Sequence, residues 1–336
     1  LGEQLQEKED AHMKAIVYEE YGSPEVLQLK EVEKPTPSED QVLIQVHAAS
    51  VNYGDVAVVT GKPFLVRLMG YGILKPKHQI PGGDVAGRIE AVGSNVTRFQ
   101  PGDAVFGDIG ECGFGALAEY VSAPESVLVL KPATATFEEA ASVPQAAVVA
   151  LQGLRDRGEI QPGQKSLVNG ASGGIGTFAV QIAKAFGAEV TGVCSTKNLE
   201  MVRSIGADHV IDYTQQDFTK GERRYDLILD IVANRSISAY TDALSPKGVY
   251  VAVAFNPSSL FLGSLYSKAD GKQVRSLSHK PKVEDLVVMK ELVETGKVTP
   301  VIDSRYPLHE AAQAFRRIGE GHPQGKVVIM VQHAAG

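Results

Sequence analysis

Between Ser166 and Phe186 a short apolar run passes through Asn169-Gly170-Ala171-Ser172-Gly173-Gly174-Ile175-Gly176 straight into an apolar periodicity suited to a helix. Glycine is required where a chain turns tightly, brings its main chain close to a ligand, or packs a helix against a strand. The N-terminus of the following helix offers free N–H groups and a positive dipole end to phosphate. A further apolar run near Val190 follows at the interval a βαβ unit needs. Such a loop can also be a plain turn, but the strand before it and the helix after it favour a dinucleotide cradle. Gly170, Ala171, Ser172, Gly173, Gly174, Ile175 and Gly176 are therefore candidate cofactor-binding residues.

The surrounding rhythm agrees. Strands are predicted at 166–168, 190–193, 209–211, 227–232 and 249–254, with helices at 177–186, 198–205 and 236–244 between them. This alternation implies a parallel, doubly wound sheet, because parallel strands need crossover helices. Before it, residues 13–134 read as β, with Val42-Leu43-Ile44-Gln45-Val46 and the runs 85–92 and 127–130 bounded by turn residues. A helix is expected over 137–150. Past Gly271 come a strand at 273–277, a helix at 283–294 and a closing strand at 326–331 that reads like the first part again. A β-rich domain over 13–134 and 280–336, split around an α/β domain over 135–279, is the simplest arrangement, and it places a cleft between the two. Residues 1–12 read as a tag or disordered tail, with Met13 as the natural start.

Composition narrows the function classes. No stretch of the 336 residues has the apolar run that a membrane span needs. A net charge of −7 and a pI near 5.7, without a basic cluster, argue against nucleic acid. Two distant cysteines, Cys112 and Cys194, provide neither a disulfide framework nor a cysteine-rich metal site, and fit a reducing cytoplasm.

At the tip of the second strand of the dinucleotide fold, NAD-binding chains usually place an Asp or Glu for the ribose hydroxyls, about 20 residues past the loop. Here the tip reads Val193-Cys194-Ser195-Thr196-Lys197-Asn198, and no carboxylate follows before Glu200. Ser195 can hydrogen-bond a 2′-phosphate and Lys197 can pair with its charge, so NADPH is expected, unless Lys197 is simply a solvated lysine.

From Met13 to Val331 the chain resembles the zinc-independent medium-chain dehydrogenases/reductases of the quinone oxidoreductase, zeta-crystallin-like branch. The matching segments are Met13-Lys14-Ala15-Ile16-Val17, Ser50-Val51-Asn52-Tyr53-Gly54-Asp55, Pro81-Gly82-Gly83-Asp84-Val85-Ala86-Gly87, Pro101-Gly102-Asp103-Ala104-Val105 and the glycine loop. Tyr306-Pro307-Leu308 and Gly325-Lys326-Val327-Val328 match near the end. The resemblance implies an α/β protein with a GroES-like β-rich catalytic domain, an inserted Rossmann domain, and NADPH in the cleft between them. It also implies cofactor contacts at Asn198, Tyr213, Ile231, Val232, Ala254 and Phe255. Where relatives often carry Leu-Thr-Ala, this chain has Val148-Val149-Ala150, so a hydroxyl facing the nicotinamide is lost.

Related alcohol dehydrogenases hold zinc with Cys and His ligands. The segment matching the first ligand reads Asn52-Tyr53-Gly54-Asp55, and Gly83-Asp84 stands where those relatives have histidine before glutamate. No zinc is expected, so the acceptor must already be electrophilic: a quinone or an α,β-unsaturated carbonyl. The resemblance implies that Asn52 and Tyr53 line the cleft close to the nicotinamide, where either can hydrogen-bond a developing oxyanion, so Asn52, Tyr53 and Asp55 are the candidate catalytic residues. Equally, Asn52 and Asp55 can be plain helix caps. By the resemblance the apolar, glycine-punctuated segments 64–71 and 255–266 border the cleft, so Phe64, Leu68, Tyr71 and Phe261 are the candidate acceptor contacts; equally, these segments can be lids or a partner-facing patch. A nucleotide-binding protein with little turnover is the alternative, and an alcohol dehydrogenase is disfavoured. The strand at 273–277 is a possible homodimer edge.

Overall fold

The computed structural model describes residues 11–253, 271–321 and 323–333. Among these the chain divides into two compact units. One runs to Gln145 and takes in Pro281–Glu294 and the residues from Ile302 onward; the other holds Ala146–Lys280 and Thr295–Val301.

In the first unit β1 (His12–Val17) pairs antiparallel with β2 (Gln28–Glu33). The long β3 (Gln41–Val51) follows, then helix α1 (Tyr53–Thr60), β4 (Asp84–Val92), β5 (Ala104–Asp108), β6 (Tyr120–Pro124), β7 (Leu128–Leu130) and helix α2 (Phe137–Ala141). Helix α3 (Pro144–Leu151) leads into the second unit. The expected single helix over 137–150 is thus two helices. Pro144 has no N–H to give and its ring excludes the carbonyl one turn back, so it opens a helix and cannot continue one. A capping box fixes the start of α2: the Glu139 N–H donates to Thr136 Oγ1 at 3.2 Å, and the Thr136 N–H to Glu139 Oε2 at 2.8 Å.

The second unit alternates β8 (Lys165–Asn169), α4 (Gly174–Ala185), β9 (Glu189–Cys194), α5 (Leu199–Ser204), β10 (His209–Asp212), β11 (Tyr225–Asp230), α6 (Ile237–Asp242), β12 (Leu244–Ala252) and β13 (Gln273–Ser276). The strands form one parallel sheet in the order β10-β9-β8-β11-β12-β13, the doubly wound arrangement that the alternation implies. Helix α6 is shorter than the expected 236–244, because Ser236 caps it by accepting from the Ala239 N–H at 3.2 Å and Leu244 already begins β12. Leu167, Val193, Tyr225, Ile228, Tyr240 and Tyr250 fill the core on one side of the sheet.

The chain then returns to the first unit with α7 (Val283–Glu294), β14 (Ile302–Pro307), α8 (Ala311–Gly319) and β15 (Lys326–Met330). Its sheet runs β14-β15-β3-β4-β5-β7, with β6 also on β3. Residues 327–330 pair with 48–51, so the last strand lies beside the end of β3, next to the start of α1. Helix α8 buries Ala311, Ala314, Phe315 and Ile318, a spacing that keeps one face on the core.

Candidate functional site

In the second unit the glycine loop joins β8 to α4. Gly170 has φ +92°, a left-handed conformation that side chains disfavour, and a Cβ there would lie 2.7 Å from Val232 Cγ2. At Gly176 a Cβ would meet Gly170 O at 2.0 Å and Ala171 C at 2.8 Å, so the helix is seated directly on the loop's main chain. The loop is fastened to the next strand by the Gly170 and Ala171 N–H groups, which donate to Val193 O at 3.2 and 3.0 Å. Gly174, Ile175 and Gly176 open α4, and helix geometry leaves their N–H groups without intrahelical acceptors. Asn198 is buried and donates to Ser172 Oγ at 2.8 Å, so it braces the loop as well as standing at the strand tip.

The tip of β9 presents Ser195 half-buried and Lys197 exposed, with Tyr213 exposed at the end of β10 beside it. The structure corrects one expectation here. A carboxylate does reach this corner, from the neighbouring strand: Asp212 pairs with Cys194 across the ladder. Its oxygens are spent within the protein, on Thr196 Oγ1 at 2.6 Å and on the Thr214 N–H and Oγ1 at 2.9 and 2.7 Å. These donors hold the carboxyl below its ordinary range. Reading along a single strand does not reveal the end of its neighbour.

At the carboxyl end of β11, Asp230 is buried and gathers four donors. Its Oδ1 accepts from Asn169 Nδ2 at 2.8 Å and from the N–H groups of Val232 and Ala233 at 3.2 and 3.0 Å; its Oδ2 accepts from the Tyr250 hydroxyl at 2.7 Å. Burial and the Asp230 charge keep the phenols of Tyr240 and Tyr250 protonated. This knot fixes Ile231 and Val232 against the glycine loop. Ala254, Phe255 and Phe261 lie outside the described residues.

In the first unit Asn52, Tyr53 and Asp55 surround the start of α1. Tyr53 is 76% exposed, Asn52 half-buried and Asp55 5% exposed. Asp55 accepts from the Asn52 N–H at 2.7 Å, as a capping carboxylate does. Burial pushes its carboxyl up to about 7, with the charges of Asp84 and Asp108 adding to the effect. The folded chain therefore retains a proton that the unfolded chain releases, so stability falls as pH rises from about 4 to about 7. Asp55→Asn, which mimics the neutral acid, is expected to remove that slope and to gain on the order of 2–4 kcal/mol over the parent chain at alkaline pH. Thermal melts at pH values on both sides of this window check it, and an unchanged pH dependence refutes it.

The most heavily bonded part of this region joins two motif residues whose pairing the sequence did not show. Asp84 is fully buried at the start of β4, and Lys326, 2% exposed, reaches it from β15. Lys326 Nζ donates to Asn52 Oδ1 and lies 3.4 Å from Asp84 Oδ2. The same Asp84 oxygen accepts from Asn52 Nδ2 at 2.9 Å and Ser50 Oγ at 2.8 Å, while Oδ1 accepts from the Gln145 N–H at 3.0 Å. Burial raises the Asp84 carboxyl, against the pull of Lys326 and these donors. The two segments matching zinc-ligand positions thus converge on an ammonium ion. That set does not fit zinc, since Asn52 and Gly83 offer neither thiolate nor imidazole and Lys326 would repel a cation. Among the described residues, no three His, Cys, Asp or Glu side chains are grouped to hold a metal.

Phe64 and Leu68 are 58% and 55% exposed, and Tyr71 is half-buried beside Phe114, ring centroids 5.7 Å apart. Their segment is tied down from within: the Tyr21 hydroxyl donates to Tyr71 O at 2.8 Å and to Gly72 O at 2.6 Å. Polar bonds face inward here and apolar side chains outward, the reverse of a solvated loop.

Residues 38–133 match the family described as alcohol dehydrogenase GroES-like domain, and residues 205–329 the family described as zinc-binding dehydrogenase. The chloroplast envelope quinone oxidoreductase homolog of Arabidopsis thaliana is 34% identical over 330 residues, 94% of this chain and 98% of the relative. The NADPH-dependent alkenal/one oxidoreductase, chloroplastic, of the same plant is 34% identical over 339 residues, 94% of this chain and 79% of the relative. Among solved structures, the quinone oxidoreductase from Coxiella burnetii matches with a TM-score of 0.86 at 29% identity, covering 96% of this chain and 100% of that one.

Proposed function

Because this chain belongs to the medium-chain dehydrogenase/reductase superfamily, in its quinone oxidoreductase branch, we propose that it reduces quinones or α,β-unsaturated carbonyl compounds with NADPH and without zinc. The observation that carries the reading is Lys326. Its ammonium stands between the segments that would supply zinc ligands, so the acceptor must be electrophilic before it binds.

When bound, NADPH supplies the hydride. The N–H groups of Ser172, Gly174, Ile175 and Gly176 would hold the pyrophosphate, while Gly170, Ala171 and Gly173, whose N–H groups are bonded within the fold, would line it with main chain, and Asn198 keeps the loop in shape. Ser195, Lys197 and Tyr213 receive the 2′-phosphate, with the Asp212 charge turned inward onto two threonines. Lys197→Ala is expected to raise KM for NADPH about tenfold and leave KM for NADH unchanged, since one exposed charge pair is lost. Steady-state rates with both nucleotides check this, and an equal change for both would remove Lys197 from the phosphate site. Ile231 and Val232, which lie against Gly170 at the carboxyl end of β11, would border the nicotinamide half of the cofactor. Asn52 and Tyr53 donate hydrogen bonds to the oxygen of the acceptor as negative charge develops there, and Asp55 holds the backbone of Asn52. Phe64, Leu68 and Tyr71 provide the apolar contact for a flat acceptor.

The decisive experiment is NADPH oxidation over a panel of quinones, enones and simple ketones, with and without a chelator. Turnover of quinones or enones that the chelator leaves untouched supports the reading. Binding without oxidation across the panel supports the low-turnover alternative, and chelator-sensitive ketone reduction overturns zinc independence.

Among the described residues β13 ends its sheet. We propose that this edge pairs with a second copy as a homodimer, which sedimentation velocity tests. None of the described helices is long and apolar enough to cross a membrane. Free Cys112 and Cys194 support placement in the reducing cytoplasm, which microscopy of a tagged chain tests.

A further inference from the structure

We propose that Lys326 is a positioning residue for turnover, whose ammonium fixes and polarises the Asn52 carboxamide that meets the acceptor oxygen. The inference rests on the assignment of Asn52 to the acceptor side. A carboxamide has one carbonyl oxygen and two N–H bonds. In this chain the oxygen takes a bond from Lys326 and one N–H is given to Asp84, which leaves the second N–H for a ligand. The orientation of the amide follows from its neighbours. An ammonium only donates and a carboxylate only accepts, so a flipped Asn52 would set donor against donor and acceptor against acceptor.

A cation on the carbonyl oxygen draws electron density from the amide nitrogen and makes the remaining N–H a stronger donor. The charge of Lys326 thereby reaches a half-buried group while the lysine itself stays 2% exposed. Asp84 is the counter-charge that keeps the ammonium in place, and Ser50 and Gln145 complete its hydrogen bonds. Asp55 and Asp108 act on the same pair through their charges. Stability is a poor explanation for the arrangement, because buried ion pairs replaced by apolar groups commonly leave a fold as stable or more so.

The test is the double variant Lys326→Met/Asp84→Asn, which removes both charges together and leaves neither buried alone. We expect kcat with a quinone to fall about tenfold to a hundredfold, KM for NADPH to stay unchanged, and the melting temperature to be retained. Asn52→Ala added to this background is expected to cost little more, because both changes interrupt one path. A folded double variant with the parent kcat overturns the proposal, as does a fully additive further loss with Asn52→Ala. Should the double variant not fold, Lys326→Gln keeps a donor on Asn52 without the charge, and parent kcat there overturns the proposal equally. Asn52→Ala alone separates the two claims. If it loses turnover while the double variant does not, only the role of Lys326 falls; if it retains full turnover, the assignment of Asn52 falls too.

Discussion

Gly176→Ala is expected to lower NADPH affinity at least a hundredfold and to destabilise the second unit. The added methyl would stand 2.0 Å from Gly170 O and 2.8 Å from Ala171 C and Cα, all main-chain atoms that no rotamer change can clear. Relief requires the loop to back away from the helix. In the proposed site the N–H groups of this loop meet the phosphates, and a displacement of about 1 Å is expected to cost on the order of a hundredfold in affinity, as misplacement of that size does in rate. Overpacking adds about 1–3 kcal/mol of lost stability. NADPH fluorescence titration and urea unfolding measure the two effects, and parent affinity in a folded variant would show that this loop does not hold the cofactor. Gly173→Ala is the control. Its methyl meets nothing nearer than Gly170 O at 3.7 Å, so any lost affinity there reports approach of the ligand alone.

Asp230→Ala is expected to cost about 3–5 kcal/mol, because the donors of Asn169, Val232, Ala233 and Tyr250 lose their shared acceptor in a buried place. Asp230→Asn keeps Oδ1 for three of them and turns an amide toward the Tyr250 oxygen, which can accept; its expected cost is about 1 kcal/mol. The contrast separates loss of hydrogen bonding from loss of charge. Urea midpoints of the two variants read it directly, and a cost for the alanine variant no larger than for the asparagine variant refutes the account. Cofactor affinity is expected to fall with the alanine variant as well, since Val232, which packs on Gly170, is held by this knot.

The glycine loop was legible in the sequence because everything that defines it is local: strand, loop and helix follow within about 20 residues. The alternation of the second unit was legible for the same reason. Pro144 carried a readable signal that the pattern of apolar residues concealed, since the apolar spacing runs on through it while the missing N–H cannot. Lys326 was legible only as a motif letter, and Asp212 was not singled out at all. Asp212 reaches the strand tip through a ladder partner, and Lys326 meets Asn52 across 274 residues, so their partners depend on strand order rather than on spacing. Asp55 and Asn52 had been equally readable as caps or as catalytic groups. Their surroundings make the capping bond certain in geometry and leave the Asn52 side chain with an N–H to offer.

The pairing of β15 with β3 bears on how the protein is made. Asp84 leaves the ribosome early and its counter-ion Lys326 follows 242 residues later. During that interval the nascent first unit carries carboxylates with no lysine to meet them, and the core around them can close only in water-accessible form. The sheet of the second unit, whose strands all fall between Lys165 and Ser276, meets no such delay. The first unit can therefore complete its buried ion pair only after the strands of the second unit have all been synthesised.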